Sequence, residues 1–131
     1  MSSPLILLAD DEPHITHIIS LKLKRAGYEV MCVEDGEMAF KAAIEHGPSV
    51  IVTDLQMPYL SGIELAHQLA GNERCKDIPI ILLTARGYAV EEELGQLPSI
   101  KKLLSKPFSG RDLLKDIAAL LEGSDAAGEA A

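Results

Sequence analysis

Short apolar runs alternate along this chain with longer amphipathic segments, and no other feature of the sequence restricts the fold as strongly. Five apolar runs have the length of strands, at residues 5–9, 28–33, 50–53, 79–84 and 103–104. Helical patterns follow them, from Pro13 to the break at Gly27, from the turn at Asp35-Gly36 to Gly47-Pro48, and over residues 63–69, 90–97 and 111–121. Strand–helix–strand order of this kind predicts β-α-β units around a parallel sheet.

The fourth run shows how such a sheet must be covered. Ile80-Ile81-Leu82-Leu83 is apolar at every position, so both faces of this strand need to be buried. Helices on both faces of the sheet meet that requirement, whereas a sandwich buries only one face of each sheet. The sequence therefore predicts an α/β, doubly wound, five-stranded parallel sheet.

Length and charge limit the functions available to this domain. The sequence has 131 residues, the size of one domain, and its formal charge of -8 opposes the attraction to phosphate backbones that drives nucleic-acid binding. The first apolar run stops at Asp10 after five residues, too short for a signal peptide or a membrane span. We expect a cytoplasmic protein without direct nucleic-acid or membrane contacts.

The two cysteines, Cys32 and Cys75, lie far apart and form no Cys-x-x-Cys motif. Neither a disulfide framework nor a zinc site is indicated. Cys32 falls in an apolar strand and is expected to be buried, whereas Cys75 falls in a loop and is expected to be an exposed thiol.

Polar side chains follow four of the five predicted strands. In open α/β sheets ligands bind beyond the carboxyl ends of the strands, so these residues are expected at one edge. They are Asp10-Asp11-Glu12 after the first strand, Asp54 at the end of the third, Thr84-Ala85 at the fourth and Lys106-Pro107 after the fifth.

The chemistry of these side chains indicates a metal and a phosphoryl group. Carboxylates ~4 Å apart repel by several kcal/mol at an effective dielectric of ~20, so a cation is expected among them. Hard oxygen ligands favour Mg²⁺ or Mn²⁺ over zinc. Lys106 and Thr84 add a positive charge and a hydroxyl donor, which together predict an oxyanion site around Asp54.

These motifs resemble the receiver domain of two-component response regulators, including the single-domain chemotaxis regulators. The resemblance runs from about Leu5 to Leu121. It is carried by Leu7-Leu8-Ala9-Asp10-Asp11-Glu12-Pro13, Thr53-Asp54-Leu55-Gln56-Met57-Pro58, Gly62, Thr84-Ala85 and Lys106-Pro107-Phe108.

The resemblance implies a fold and a metal site. It implies a flavodoxin-like (βα)5 sheet with strand order 2-1-3-4-5. It implies that Asp54 is the phosphoacceptor and that Asp11 binds Mg²⁺ directly while Asp10 binds it mostly through water. The main-chain carbonyl of Gln56 matches the remaining protein ligand.

The resemblance also assigns the neighbours of the phosphoryl group. Lys106 and Thr84 match residues that contact its oxygens, and Ala85 matches a position kept small beside it. Gln56 and Arg86 match variable positions expected to set the lifetime of the phosphoaspartate. Leu103 departs from the family, which usually has Tyr or Phe at this switch position, so the usual coupling of Thr84 to an aromatic ring is not expected.

The implied function is a phosphoacceptor switch rather than an enzyme acting on a separate substrate. The chain would catalyse its own phosphorylation and slow dephosphorylation, with a histidine kinase or histidine phosphotransfer protein as donor and an unidentified protein as target. The receiver domain is expected over residues 1–121, followed by a disordered tail at 122–131. The oligomeric state is left as a monomer or a phosphorylation-dependent dimer.

Three alternatives stay open. The chain could be a receiver module of a larger response regulator or hybrid kinase. It could be a receiver-like binding module that signals without phosphate. It could be a phosphohydrolase of the haloacid-dehalogenase type, although these enzymes need a second acid two residues after the nucleophile, where this chain has Gln56.

Overall fold

The structure is a computed structural model that describes residues 4–55, 61–84, 99–105 and 109–130, with the backbone alone for 105 and 123–130. Its strands are β1 (Leu5–Ala9), β2 (Glu29–Val33), β3 (Val50–Asp54), β4 (Ile80–Thr84) and β5 (Ile100–Ser105). Its helices are α1 (Pro13–Arg25), α2 (Gly36–His46), α3 (Gly62–Ala70) and α4 (Gly110–Ala130). The predicted helix at 90–97 lies outside the described residues.

The five strands form one sheet in the order β2-β1-β3-β4-β5. Every neighbouring pair is parallel. The predicted parallel sheet and its strand order are therefore confirmed.

Two apolar clusters, one on each face of the sheet, hold the helices in place. Leu7 and Leu82 point to the cluster that packs under α2 and α3, and Leu8 and Ile81 point to the cluster under α1 and α4. β4 is buried along its whole length, which accounts for its uninterrupted apolar sequence. This arrangement confirms the doubly wound fold.

Local signals set where the helices begin and end. Pro13 occupies the first turn of α1, and Gly27, at φ 100°, follows that helix in a backbone conformation that favours glycine. Asp35 caps α2 by accepting a hydrogen bond from the Met38 amide at 2.9 Å. The proline, glycine and aspartate of the sequence thus mark where these helices begin and end.

The last strand and the last helix are both longer than predicted. β5 begins at Ile100 and therefore includes Lys101 and Lys102, although the sequence predicted a strand only at Leu103-Leu104. The two lysines fit in the strand because β5 is at the edge of the sheet and their side chains are exposed. α4 continues to Ala130, where the sequence favoured a disordered tail.

The burial of both cysteines is the reverse of the prediction. Cys32 is exposed because β2 is an edge strand, whereas Cys75 is 1% exposed. Cys75 lies in the turn after α3 and packs into the α2–α3 cluster. Burial raises the pKa of the Cys75 thiol, and the positive charge of Arg74 offsets only part of that increase.

No helix of the described segments is both long enough and apolar enough to cross a lipid bilayer.

The difference between the two thiols can be measured with a disulfide reagent such as DTNB at neutral pH. We expect one thiol per folded chain to react rapidly, because Cys32 is exposed while Cys75 is buried with a raised pKa. Cys32→Ser should remove the rapid phase and Cys75→Ser should leave it unchanged. Two rapid phases in the folded wild type would contradict the burial of Cys75.

Candidate functional site

The register of the sheet brings the predicted site residues to one edge. Ala9 pairs with Thr53, so Asp10 and Asp54, which follow them, lie at adjacent strand ends. Asp54 in turn pairs with Leu83, which precedes Thr84. The three side chains predicted at the carboxyl ends of β1, β3 and β4 thus occupy neighbouring positions.

Four carboxylates gather at this edge. One oxygen from each of Asp10, Asp11, Glu12 and Asp54 lies within 4.8 Å of the others. Asp10 is 1% exposed and Asp54 is 7% exposed, whereas Asp11 is open to solvent. Two unit charges at this separation repel by about 3 kcal/mol at an effective dielectric of ~20, so the group favours binding of a cation.

Hydrogen bonds fix the loop that carries the acidic pair. Asp10 Oδ1 accepts a hydrogen bond from the Glu12 amide at 3.0 Å. The Glu12 carbonyl accepts from the Thr16 amide at 3.1 Å and from Thr16 Oγ1 at 2.9 Å. Glu12 precedes α1 without capping it through its side chain. The turn between β1 and α1 is therefore held by main-chain carbonyls and by the Asp10 carboxylate.

The backbone around Asp54 is fixed from three directions. Thr53 Oγ1 donates to the Asp54 carbonyl at 3.1 Å. The Leu55 amide donates to the Leu83 carbonyl at 2.8 Å, and the Gly62 amide donates to the Leu55 carbonyl at 2.8 Å. These bonds link the end of β3 both to β4 and to the start of α3, so Asp54 projects from a rigid peptide.

Gly62 packs directly against this peptide. A Cβ atom at Gly62 would lie 2.5 Å from the Asp54 carbonyl oxygen and 2.9 Å from Leu82 Cδ1. Since real Cβ atoms do not approach other atoms so closely, the first residue of α3 has to be glycine if Asp54 is to keep this position.

The described residues include part of the predicted phosphoryl-binding set. Thr84 is 3% exposed at the end of β4, and it pairs with Ser105, the residue before Lys106. Leu103 is partly buried against the α2–α3 cluster. Four residues assigned from the sequence lie outside the described residues, namely Gln56, Ala85, Arg86 and Lys106.

A groove of about 260 Å³ opens beside the acidic group, between the start of α1 and the end of β2. Its lining includes Asp10, Thr16, Ser20, Cys32 and Glu34. The buried acids therefore lie next to an accessible surface.

Sequence reasoning quoted two residues of the site without assigning either a specific role. The Glu12 carboxylate joins the other three acids, although the sequence assigned the metal to Asp10, Asp11, Asp54 and Gln56 alone. Its position directly after the acidic pair was the available signal. Gly62 was recognised only as part of the family pattern, and its contact with the Asp54 carbonyl could not be read from spacing.

The sequence matches the response regulator receiver domain family over residues 6–118. This chain is therefore a receiver domain of the two-component response regulators. Its match with the phosphate regulon transcriptional regulatory protein PhoB of Pseudomonas aeruginosa has 38% identity over 116 residues, covering 88% of this chain and 51% of that protein. The chain spans about half the length of the curated relatives it matches.

Solved structures show the same fold. The chemotaxis protein CheY4 of Vibrio cholerae superposes with a TM-score of 0.83 and 29% identity, covering 91% of this chain and 99% of that one. The receiver domain of the sensor histidine kinase PA1611 of Pseudomonas aeruginosa PAO1 has a TM-score of 0.83 and 28% identity, covering 92% and 99%. That domain was crystallised with a magnesium ion in its active-site cleft.

The contact of Gly62 with the Asp54 peptide predicts a large effect of Gly62→Ala. The added methyl group must displace the end of β3 or Leu82, and we expect a loss of about 1–3 kcal/mol in the free energy of unfolding. Urea denaturation followed by circular dichroism measures this loss.

Gly71→Ala is the matched control. Gly71 lies at the end of the same helix with φ -85°, and its nearest neighbours would be 3.7 Å from a Cβ atom. We expect it to be neutral or stabilising by less than about 1 kcal/mol. Equal effects of the two substitutions would show that the packing at Gly62 is not special.

Proposed function

We propose that Asp54 is the residue of this receiver domain that accepts a phosphoryl group. The observation that carries the proposal is the gathering of four carboxylates around the end of β3, with Asp54 buried among them on a fixed peptide. A carboxylate held in one orientation next to a cation site is suited to attack on a phosphoryl group.

The donor set of this site fits a divalent cation. Mg²⁺ is the expected ion, and Mn²⁺ is an alternative. The cation would be held by Asp10, Asp11, Asp54 and the main-chain carbonyl of Gln56, and Glu12 lies within reach of the same position. All these donors are hard oxygens, which suits either ion. Bound there, the cation would neutralise charge on the carboxylates and on the transferred group.

In the proposed reaction an Asp54 carboxylate oxygen forms a bond to phosphorus while the bond from phosphorus to the donor atom breaks. When the donor is a phosphohistidine, the electron pair of that bond returns to the imidazole nitrogen, which then takes a proton. Lys106 and the Thr84 hydroxyl would stabilise the phosphoryl oxygens, and Ala85 would leave space beside them. Slow attack of water on the same phosphorus would reverse the modification, at a rate influenced by Gln56 and Arg86.

The partners follow from this chemistry. We infer a histidine kinase or a histidine phosphotransfer protein as donor and a protein as target, with a cytoplasmic location. The curated relative named above, PhoB, is a transcriptional regulatory protein of which the match covers 51%, so a larger regulator is one context for this domain. Leu103 carries no aromatic ring, so the proposed switch would act by a route other than reorientation of a ring at that position.

Binding of Mg²⁺ should stabilise the fold. At a concentration 100-fold above the dissociation constant, we expect the free energy of unfolding to rise by about 2.7 kcal/mol, measured by urea denaturation with and without MgCl₂. Asp11→Asn should lose most of this increase. Without metal, the same variant should be at least as stable as the wild type, because one repelling charge is removed.

Asp77→Asn provides the control for this measurement. It removes a carboxylate from an exposed position between α3 and β4, so its response to Mg²⁺ should match that of the wild type. A Mg²⁺ response that survives in Asp11→Asn would place the cation elsewhere.

Phosphoryl transfer can be tested by intact-mass spectrometry after incubation with acetyl phosphate. We expect one phosphoryl adduct that requires Mg²⁺ and is absent from Asp54→Asn, because the amide is not a nucleophile for phosphorus. Asp35→Asn should retain the adduct, since Asp35 serves only as the cap of α2 and asparagine caps as well. An adduct of equal yield in Asp54→Asn would refute the assignment of Asp54.

A further inference from the structure

Two helices bring three cationic side chains to one pocket. Lys22, Arg25 and Arg111 line an open pocket of about 400 Å³ between the last turn of α1 and the first turn of α4. Ala26 and Leu114 complete its lining, so among the residues that the structure describes no acidic side chain lines it. The pocket is therefore cationic, with a smaller apolar component.

This concentration of positive charge runs against the composition of the chain. Acidic residues outnumber Lys and Arg by 20 to 12, yet three of the twelve cations line this pocket. In the part of the chain that the structure describes, none of the three forms an ion pair. Their mutual repulsion is not balanced by a protein carboxylate, so an anion in the pocket would relieve it.

Helix stability accounts for the cations of α1 but not for Arg111. Lys22 and Arg25 lie in the last turn of α1, where the helix dipole favours positive charge. Arg111 lies in the first turn of α4, where the same effect disfavours it. The amides there are already capped, because Ser109 Oγ accepts hydrogen bonds from the Arg111 and Asp112 amides at 3.0 and 3.3 Å. The exposed guanidinium of Arg111 is thus placed for a role other than stabilising its own helix.

We propose that this pocket binds a small molecule that carries a diphosphate group. Guanidinium groups form paired hydrogen bonds to phosphate oxygens, and the lysine ammonium adds a third positive charge. A diphosphate carries about three negative charges at neutral pH, which matches the three cations. The volume of the pocket also lies in the range of about 300–1,000 Å³ that is typical of small-molecule sites.

The charge of the whole chain favours a small ligand over an anionic macromolecule. With a net charge of -8, the chain repels nucleic acids and anionic membranes over any large contact surface. A small ligand experiences mainly the three nearby cations, because charges more than ~8 Å away are largely screened at physiological ionic strength. Ala26 and Leu114 add apolar area against which the rest of such a ligand can pack.

The pocket is separate from the acidic group at the strand ends. The acidic pair precedes Pro13, whereas Lys22 and Arg25 lie ~14–18 Å further along α1 at a rise of about 1.5 Å per residue. Binding in the pocket therefore requires neither Mg²⁺ nor Asp54, and the proposal does not rest on the proposed phosphoryl transfer.

The test is isothermal titration calorimetry in metal-free buffer, with inorganic pyrophosphate, ADP, inorganic phosphate and an oligoglutamate peptide as probes. We expect pyrophosphate to bind at one site with a dissociation constant below about 1 mM at low salt. Phosphate should bind at least tenfold more weakly, because it contacts fewer of the three cations. ADP that binds at least as tightly as pyrophosphate would indicate a nucleotide as the source of the diphosphate, and weaker binding of ADP would indicate free diphosphate.

Substitutions locate the site. Arg25→Gln and Arg111→Gln should each raise the pyrophosphate dissociation constant at least tenfold. Arg111→Lys should raise it by a smaller factor, because it keeps the charge but loses the paired hydrogen bonds. Lys22 is left unchanged, since its aliphatic chain packs against Gly110 and its replacement would also disturb the helix contact.

Arg74→Gln is the matched control. Arg74 is exposed in the turn after α3, on the opposite side of the sheet, and its replacement changes the net charge by the same amount. It should leave the dissociation constant unchanged, as should Asp54→Asn, and circular dichroism should show that all variants are folded.

Several results would overturn the proposal. One is a folded wild type that does not bind pyrophosphate, and another is binding that Arg25→Gln and Arg111→Gln do not weaken. Equal weakening by Arg74→Gln would mean that net charge alone controls the binding. Phosphate or oligoglutamate that binds as tightly as pyrophosphate would contradict the assignment of a diphosphate, and loss of binding in Asp54→Asn would place the ligand at the acidic group instead.

Discussion

Repulsion among carboxylates is the constraint around which this domain is organised. Asp10 and Asp54 are buried with Asp11 and Glu12 close by, so the mutual repulsion of the four carboxylates opposes this arrangement. The sheet tolerates it because β1, β3 and β4 are embedded in two apolar clusters that fix the strand ends. The stability of the apolar layers thus offsets the repulsion at the edge, and a bound cation would relieve it.

The acidic residues differ in how firmly the fold holds them. Asp54 projects from a peptide that is bonded to β4 and to the start of α3, and Gly62 lies so close to that peptide that a Cβ atom would not fit there. Asp11, by contrast, is exposed in the turn before α1. If the proposed function is correct, the rigid Asp54 would keep the orientation of the reacting oxygen, and the exposed Asp11 would let a cation enter and leave.

Most of the fold could be predicted from the sequence, because strand length, apolar runs and cap residues are local properties. The expectation that ligands bind beyond the carboxyl ends of parallel strands also predicted that Asp10, Asp54 and Thr84 would lie together, since it depends only on parallel topology. The predictions that failed concern residues whose burial depends on where they lie in the folded structure. Cys32 is exposed because β2 is an edge strand, Lys101 and Lys102 belong to a strand for the same reason, and Cys75 is buried by a turn that folds back on the core. The contact of Gly62 with the Asp54 carbonyl is likewise invisible to any pattern along the chain.

The position of Cys32 gives the molecule a natural attachment point for a spectroscopic probe. Its side chain lies in the groove that also includes Asp10, while the other thiol is buried in the α2–α3 cluster. A fluorophore or spin label attached to the unmodified sequence would therefore sit beside the acidic group and report on changes in its electrostatic environment. Because β2 is at the edge of the sheet, such a label would not displace any packed strand.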